Sequence, residues 1–179
     1  MNILGLKRCA TLLAASALVA LTVAAGTALA ATFDCADITG DECTGSYKDD
    51  EMRGTDAPDK INTLDGADTA WGDEGADNIL GRNGDDTLYG GPGVDSINGG
   101  PGAADTIYGN SGDDVLRGAF GPDEIYGGAG SDEISAGGSD DTIIPGPGID
   151  KEVNCGGGND IVIGAQEGER LRYCEDVRQ

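Results

Sequence analysis

The chain has 179 residues, enough for one domain, but 32 of them are glycine and none is histidine. It carries 33 acidic and 11 basic residues, for a formal net charge of −22. A field of this sign repels nucleic acids and anionic membrane surfaces and attracts cations.

The N-terminal 30 residues have the order of a secretory signal peptide. Lys7 and Arg8 precede an uncharged, apolar run, and small residues end in the sequence ALA at 28–30. This order predicts cleavage before Ala31 and a secreted, extracellular protein. The alternative is an uncleaved membrane anchor, because the uncharged run approaches the length of a spanning helix.

Four cysteines follow the signal segment, namely Cys35, Cys43, Cys155 and Cys174. Disulfides are expected in an oxidising compartment. Four cysteines allow three pairings, and the two local pairs are favoured because a long rigid array would keep its two ends apart. A metal–thiolate site fits poorly, since neither a C-x-x-C spacing nor a histidine supports one.

A nine-residue repeat runs from Gly54 to Ile163 and excludes a disordered acidic chain. Each of its twelve units has an aspartate at the sixth position, or at the seventh in one lengthened unit, and ten have an aliphatic residue two positions later. The units are GTDAPDKIN, TLDGADTAW, GDEGADNIL, GRNGDDTLY, GGPGVDSIN, GGPGAADTIY, GNSGDDVLR, GAFGPDEIY, GGAGSDEIS, AGGSDDTII, PGPGIDKEV and CGGGNDIVI.

Each unit predicts half of a coil. The early glycines allow a tight loop, and the last three residues form a short strand whose central side chain points opposite to its neighbours. Two units then return the chain to the same edge, giving two parallel sheets around one aliphatic row. The predicted inward residues are Ile61, Ile79, Leu88, Ile97, Ile107, Leu116, Ile125, Ile134, Ile143 and Val162.

The pattern resembles the hemolysin-type calcium-binding repeat, the G-G-x-G-x-D-x-U-x nonapeptide of bacterial RTX proteins. The resemblance implies an all-β fold, a right-handed parallel β-roll, with several Ca²⁺ ions held between each loop and the loop two units further on. Aspartate carboxylates and loop carbonyls would supply the oxygen ligands that calcium prefers.

Because alternate units return to the same edge of the roll, the twelve candidate metal ligands are expected in two rows, called here the Asp59 row and the Asp68 row. For a single aspartate, the alternative is a turn residue that caps its own loop. The Asp59 row is Asp59, Asp77, Asp95, Asp114, Asp132 and Asp150; the Asp68 row is Asp68, Asp86, Asp105, Asp123, Asp141 and Asp160.

Several units depart from the pattern. Ala70 takes an inward position, and Pro122 lies in a loop. Glu152 stands where an aliphatic residue is expected, so either the core ends there or the register shifts. The unit at 99–108 has one extra residue in its loop, and the reading in nines leaves Asn154 as a second extra residue.

The predicted organisation is a signal peptide at 1–30, an N-terminal cap at 31–53, calcium-binding repeats at 54–163 and a C-terminal cap at 164–179. The disulfides would brace both caps. Residues 45–53, GSYKDDEMR, are interpreted as a degenerate first half-coil.

The predicted function is a secreted calcium-binding protein, not an enzyme, that folds on calcium binding outside the cell and has a structural or surface-interaction role. A hydrolase using paired carboxylates is the less favoured alternative. Another alternative is an export or targeting module related to RTX toxins or proteases, which the N-terminal signal segment argues against.

One more prediction concerns the ninth position, whose side chain faces out from the sheet. One sheet would display Asn62, Leu80, Asn98, Arg117 and Ser135. The other would display Ile144 next to an aromatic ladder of Trp71, Tyr89, Tyr108 and Tyr126. This ladder either stabilises the sheet by cross-strand stacking or forms a face for a carbohydrate, a protein partner or self-association.

Overall fold

The computed structural model of the protein describes residues 31–35, 42–101 and 104–179. The predicted signal segment at 1–30 therefore lies outside the described residues. Within the described ranges, no helix has the length and apolar character needed to cross a membrane. Regular structure in these ranges consists of short β-strands.

Seventeen strands follow one another along the chain. They are β1 (Ala31–Asp34), β2 (Glu42–Thr44), β3 (Asp50–Arg53), β4 (Lys60–Asp65), β5 (Thr69–Trp71), β6 (Asn78–Asn83), β7 (Thr87–Pro92), β8 (Ser96–Gly100), β9 (Thr106–Ser111), β10 (Val115–Phe120), β11 (Glu124–Ala129), β12 (Glu133–Gly138), β13 (Thr142–Ile144), β14 (Glu152–Gly157), β15 (Ile161–Ile163), β16 (Leu171–Arg172) and β17 (Asp176–Arg178).

The strands alternate between two parallel sheets. All odd-numbered strands form a nine-stranded sheet and all even-numbered strands an eight-stranded sheet, and each strand pairs with the strand two before it and two after it. Ile79 thus lies opposite Ile61 on one side and Ile97 on the other. The predicted all-β parallel β-roll of nine-residue half-coils is confirmed.

The predicted aliphatic row forms the core. All ten predicted residues are at most 1% exposed, and Ala70 is fully buried among them. Met52 is also fully buried and pairs with Ala70 on the neighbouring strand, so it extends the aliphatic row by one position. Residues 45–53 therefore form a half-coil. One buried side chain per half-coil gives a thin core, which makes the interactions of the loops important for stability.

The register shifts at Glu152. The backbone N–H groups of Lys151 and Glu152 both point to the carbonyl of Asp132, with N···O distances of 2.8 and 3.5 Å. This is a β-bulge, in which two residues oppose one. As a result Val153 takes the inward position opposite Ile134 and is fully buried.

The bulge corrects the position of the second extra residue. Asn154 was predicted to be the insertion, but it pairs with Ser135 and occupies an ordinary ninth position. The extra residue instead lies in the bulge at residues 151–152. The first insertion falls in a loop, as predicted, because Thr87 pairs with Thr106, nineteen residues further on.

The two disulfides join the local pairs. Cys35 bonds to Cys43, and Cys155 bonds to Cys174. Cys43 and Cys155 both lie in the buried core, and Cys174 packs against it. Each bridge therefore ties a terminal segment to one end of the aliphatic row, where an open stack of coils would otherwise expose apolar surface.

The predicted aromatic ladder is present on the outer face of the nine-stranded sheet. Successive ring centroids of Trp71, Tyr89, Tyr108 and Tyr126 are 5.8, 4.7 and 4.6 Å apart, and the ring planes lie within 12° of parallel. The rings are half-buried because each covers the face of the next. Stacked pairs of this kind add about 0.5–1.5 kcal/mol beyond their burial.

Replacing Tyr108 by threonine removes two stacked pairs at once. We expect this variant to lose about 1–3 kcal/mol of unfolding free energy, measured by denaturant titration at saturating calcium. Tyr47→Thr is the control, because Tyr47 is 76% exposed and outside the ladder. Equal losses in the two variants would show that the stacking contributes nothing.

Candidate metal centre

The structure brings the predicted aspartates together in two rows, one along each edge of the roll. Each lies at the end of a loop, just before or at the start of the strand that follows. All twelve are at most 7% exposed. Carboxylates are seldom fully buried without a partner, so the contacts of each oxygen matter.

Within the described part of the chain, one carboxylate oxygen accepts a hydrogen bond from the neighbouring coil in all of these aspartates except Asp59. The backbone N–H of Asp77 donates to Oδ1 of Asp95 at 2.8 Å, and that of Asp86 donates to Oδ1 of Asp105 at 2.9 Å. The same bond recurs along both rows. The extra residue before Asp105 therefore does not interrupt its row.

The other oxygen, Oδ2, has no hydrogen-bond partner in eleven of these aspartates, although it is inaccessible to solvent. A buried polar atom without a partner costs about 1–3 kcal/mol, and more when it is charged. The eleven are Asp68, Asp77, Asp86, Asp95, Asp105, Asp114, Asp123, Asp132, Asp141, Asp150 and Asp160.

Burial raises the pKa of these eleven aspartates, while the backbone N–H bonded to Oδ1 opposes the shift. The pKa rises to about 7 for Asp68, Asp77, Asp105, Asp114 and Asp123, and to about 6 for Asp86, Asp132 and Asp141. The pKa of Asp95, Asp150 and Asp160 is raised as well. A buried carboxylate of this kind needs either a proton or a cation.

A glycine at the first position of the half-coil makes room for the free oxygen. A Cβ atom added to Gly81 would lie 2.5 Å from Oδ2 of Asp86 and 2.5 Å from the carbonyl oxygen of Gly99, one coil further on. A carboxylate oxygen and a carbonyl oxygen from neighbouring coils thus face the same small space. A side chain in place of Gly81 would fill this space.

Four units have a residue other than glycine at this first position, namely Thr63, Ala136, Pro145 and Cys155. Thr63 is fully buried, and its hydroxyl donates to the carbonyl oxygen of Gly81 at 2.5 Å. The carbonyl of the next coil is therefore already bonded in this half-coil, which differs in this respect from the glycine-containing ones.

The donor set fits a hard cation. Within the described residues, no three acidic or thiol side chains come close enough to hold a metal by themselves. Carbonyl oxygens must therefore complete any site built on the row aspartates. Carboxylate and carbonyl oxygens without nitrogen or sulfur are the ligands of calcium.

Asp59 differs from the other predicted ligands. Its Oδ2 accepts hydrogen bonds from the backbone N–H of Thr55 at 2.6 Å and from the Thr55 hydroxyl at 2.9 Å. The half-coil before it repeats the arrangement, since Ser46 donates to Asp50 through its N–H at 2.6 Å and its hydroxyl at 3.1 Å. In both loops, the serine or threonine after the first glycine thus donates hydrogen bonds to the aspartate of the same loop.

Asp50 is a row member that sequence reasoning did not identify. It is 2% exposed, and its N–H donates to Oδ1 of Asp68 at 2.7 Å. The repeat pattern does point to this residue, because Asp50 is the sixth residue of the degenerate unit at 45–53.

Two parallel sheets wound in nine-residue half-coils, with an acidic row along each edge, define a β-roll with cation-binding loops. The sequence model of the RTX calcium-binding nonapeptide repeat matches this chain in four copies, at residues 44–79, 71–104, 102–125 and 118–151. The chain belongs to this family. No curated protein matches it.

The raised pKa values predict how the metal-free fold responds to pH. An aspartate in the unfolded chain has a pKa of about 3.9, so between about pH 4 and pH 7 the folded state binds protons that the unfolded chain has released. Stability of the metal-free fold is therefore greatest below about pH 4 and is lost as the pH rises through 6 to 7.

Far-UV circular dichroism of the metal-free chain from pH 4 to pH 8 checks this expectation. Sheet signal should fall as the pH rises, and calcium added above about pH 7 should restore it, because the ionised carboxylates of the fold then bind the cation in place of protons. A metal-free sheet signal that is constant or grows toward pH 8 would contradict the assignment.

Proposed function

We propose that this protein is a secreted calcium-binding β-roll whose loops become ordered as calcium fills the two aspartate rows, and that it serves a structural or surface-interaction role. The observation that carries the proposal is the series of eleven buried Oδ2 atoms without a hydrogen-bond partner. Membership of the calcium-binding repeat family supports calcium as the cation.

The eleven aspartates with a free Oδ2 would hold the ions, together with carbonyl oxygens of the loops. Calcium would supply two positive charges to a space that otherwise contains only negative oxygen atoms. The spacing of about 4.8 Å between adjacent strands brings successive carboxylates of a row close to each other, so cations would relieve the repulsion within the ionised row.

This arrangement makes calcium binding a driving force for folding. An ion that binds the folded loops and not the unfolded chain shifts the equilibrium toward the fold in proportion to its concentration. Calcium is scarce in the cytosol and abundant outside the cell, so the chain would fold after export.

Three observations support secretion. The family's repeat proteins are typically extracellular, and two disulfides fit an oxidising compartment. The predicted signal segment at 1–30 is the third reason. The alternative of an export or targeting module rests on the same family membership.

The repeat family is structural rather than typically catalytic, and each buried row aspartate takes part in a bond between coils. A surface role would use the aromatic ladder. Because the faces of its rings are stacked on each other, mainly their edges and hydroxyls are presented outward, and this favours the stabilising interpretation over a platform for carbohydrate rings. Unchanged surface binding or self-association in Tyr108→Thr would support that interpretation.

The Asp114→Asn substitution tests the ligand assignment. It retains the acceptor that bonds the neighbouring coil and removes the charge from the free oxygen. We expect the calcium midpoint of folding to rise roughly tenfold or more, since a hydrogen bond or ion contact to a charged group contributes about 1.5–3 kcal/mol. Calcium titrations followed by far-UV circular dichroism measure the midpoint.

Two matched variants serve as controls. Asp113→Asn makes the same charge change one residue away, on an exposed side chain. Asp59→Asn changes a row aspartate whose Oδ2 already accepts two hydrogen bonds from Thr55. Both should leave the calcium midpoint nearly unchanged, and a shift as large as that of Asp114→Asn in either control would refute the assignment.

A further inference from the structure

The nine-residue frame continues past Ile163, where the recognisable repeat ends. Residues 164–172 read GAQEGERLR, with a glycine at the first position, a glutamate at the sixth and a leucine at the eighth. Leu171 pairs in parallel with Val153, so it takes the place of the inward aliphatic. Glu169 therefore stands at the position of the row aspartates, in the coil after Asp150.

Glu169 also resembles the row aspartates in its surroundings. Both of its carboxylate oxygens are inaccessible to solvent and have no hydrogen-bond partner. Asp150, the last aspartate of the Asp59 row, is 4% exposed and has a free Oδ2. The two carboxylates are close enough to interact electrostatically. Three inaccessible carboxylate oxygens from neighbouring coils are thus left without a donor among the described residues at this end of the roll.

The other row ends differently. Glu175 precedes β17 and accepts a hydrogen bond from the backbone N–H of Asp160 at 3.3 Å. Its side chain is exposed. Glu175 therefore caps the Asp68 row as an acceptor of a backbone N–H, whereas the inaccessible carboxylate oxygens of Glu169 accept no such bond from Asp150.

We propose that Glu169 and Asp150 form one more calcium site, at the C-terminal end of the Asp59 row, in which a glutamate replaces the repeat's aspartate. The proposal rests on the proposed function, because it extends the same mode of binding by one coil. Two buried carboxylates without a counter-ion are costly, and a divalent cation with carbonyl oxygens as additional ligands would compensate both.

Counting bound ions tests the site. Native mass spectrometry of the disulfide-bonded chain without its signal segment, at saturating calcium, should find one ion fewer in Glu169→Gln than in the unchanged protein. Glu167→Gln is the matched control, because Glu167 is exposed in the same loop and loses the same charge. Glu169→Asp, which restores the residue type of the repeat, should keep the ion.

Three results would contradict what is proposed. An unchanged ion count in Glu169→Gln would overturn the proposed site. The loss of several ions together with sheet signal would also overturn it, since Glu169 would then close the whole array rather than one site. If the unchanged protein binds no calcium at all, the proposed function itself fails.

Discussion

The structure depends on burying one carboxylate at the sixth position of every half-coil. The carboxylate joins two coils through Oδ1, which accepts the backbone N–H of the aspartate before it in the same row. In eleven of these aspartates the second oxygen is left without a donor among the described residues. The interaction that sets the spacing of the coils therefore also creates an electrostatic cost along both edges, and a core of one aliphatic residue per half-coil is poorly suited to offset it.

The residues of each loop determine whether hydrogen bonds offset the electrostatic cost of the buried carboxylate. In most half-coils the second residue is a glycine or another residue with left-handed backbone, such as Arg82 with φ 77°. In these half-coils Oδ2 of the aspartate has no hydrogen-bond partner. Where Ser46 or Thr55 stands there, its N–H and hydroxyl bond to the aspartate. At the N-terminal end of the roll, hydrogen bonds from the loop occupy the aspartate oxygens, whereas the coils that follow leave one oxygen of each row aspartate without a donor.

The period of nine was sufficient to predict the sheets, the inward row and the two aspartate rows, because positions such as Asp95 and Ile97 recur with a fixed role. The bulge at residues 151–152 was not predictable, since a register shift depends on which neighbour fits opposite Ile134. The closure of Asp59 by Thr55 depends on backbone geometry that the repeat pattern does not encode. Glu169 was missed because its unit keeps the spacing of the repeat but changes the acidic residue.

The most direct measurement is a crystal structure of the calcium-loaded chain, with diffraction recorded at a long wavelength where calcium scatters anomalously. Anomalous peaks should form a row along each edge of the roll, each within coordination distance of the Oδ2 atoms that have no donor. Rows that contain only water, or calcium found only on the surface away from these carboxylates, would contradict the assignment of the aspartate rows as calcium ligands.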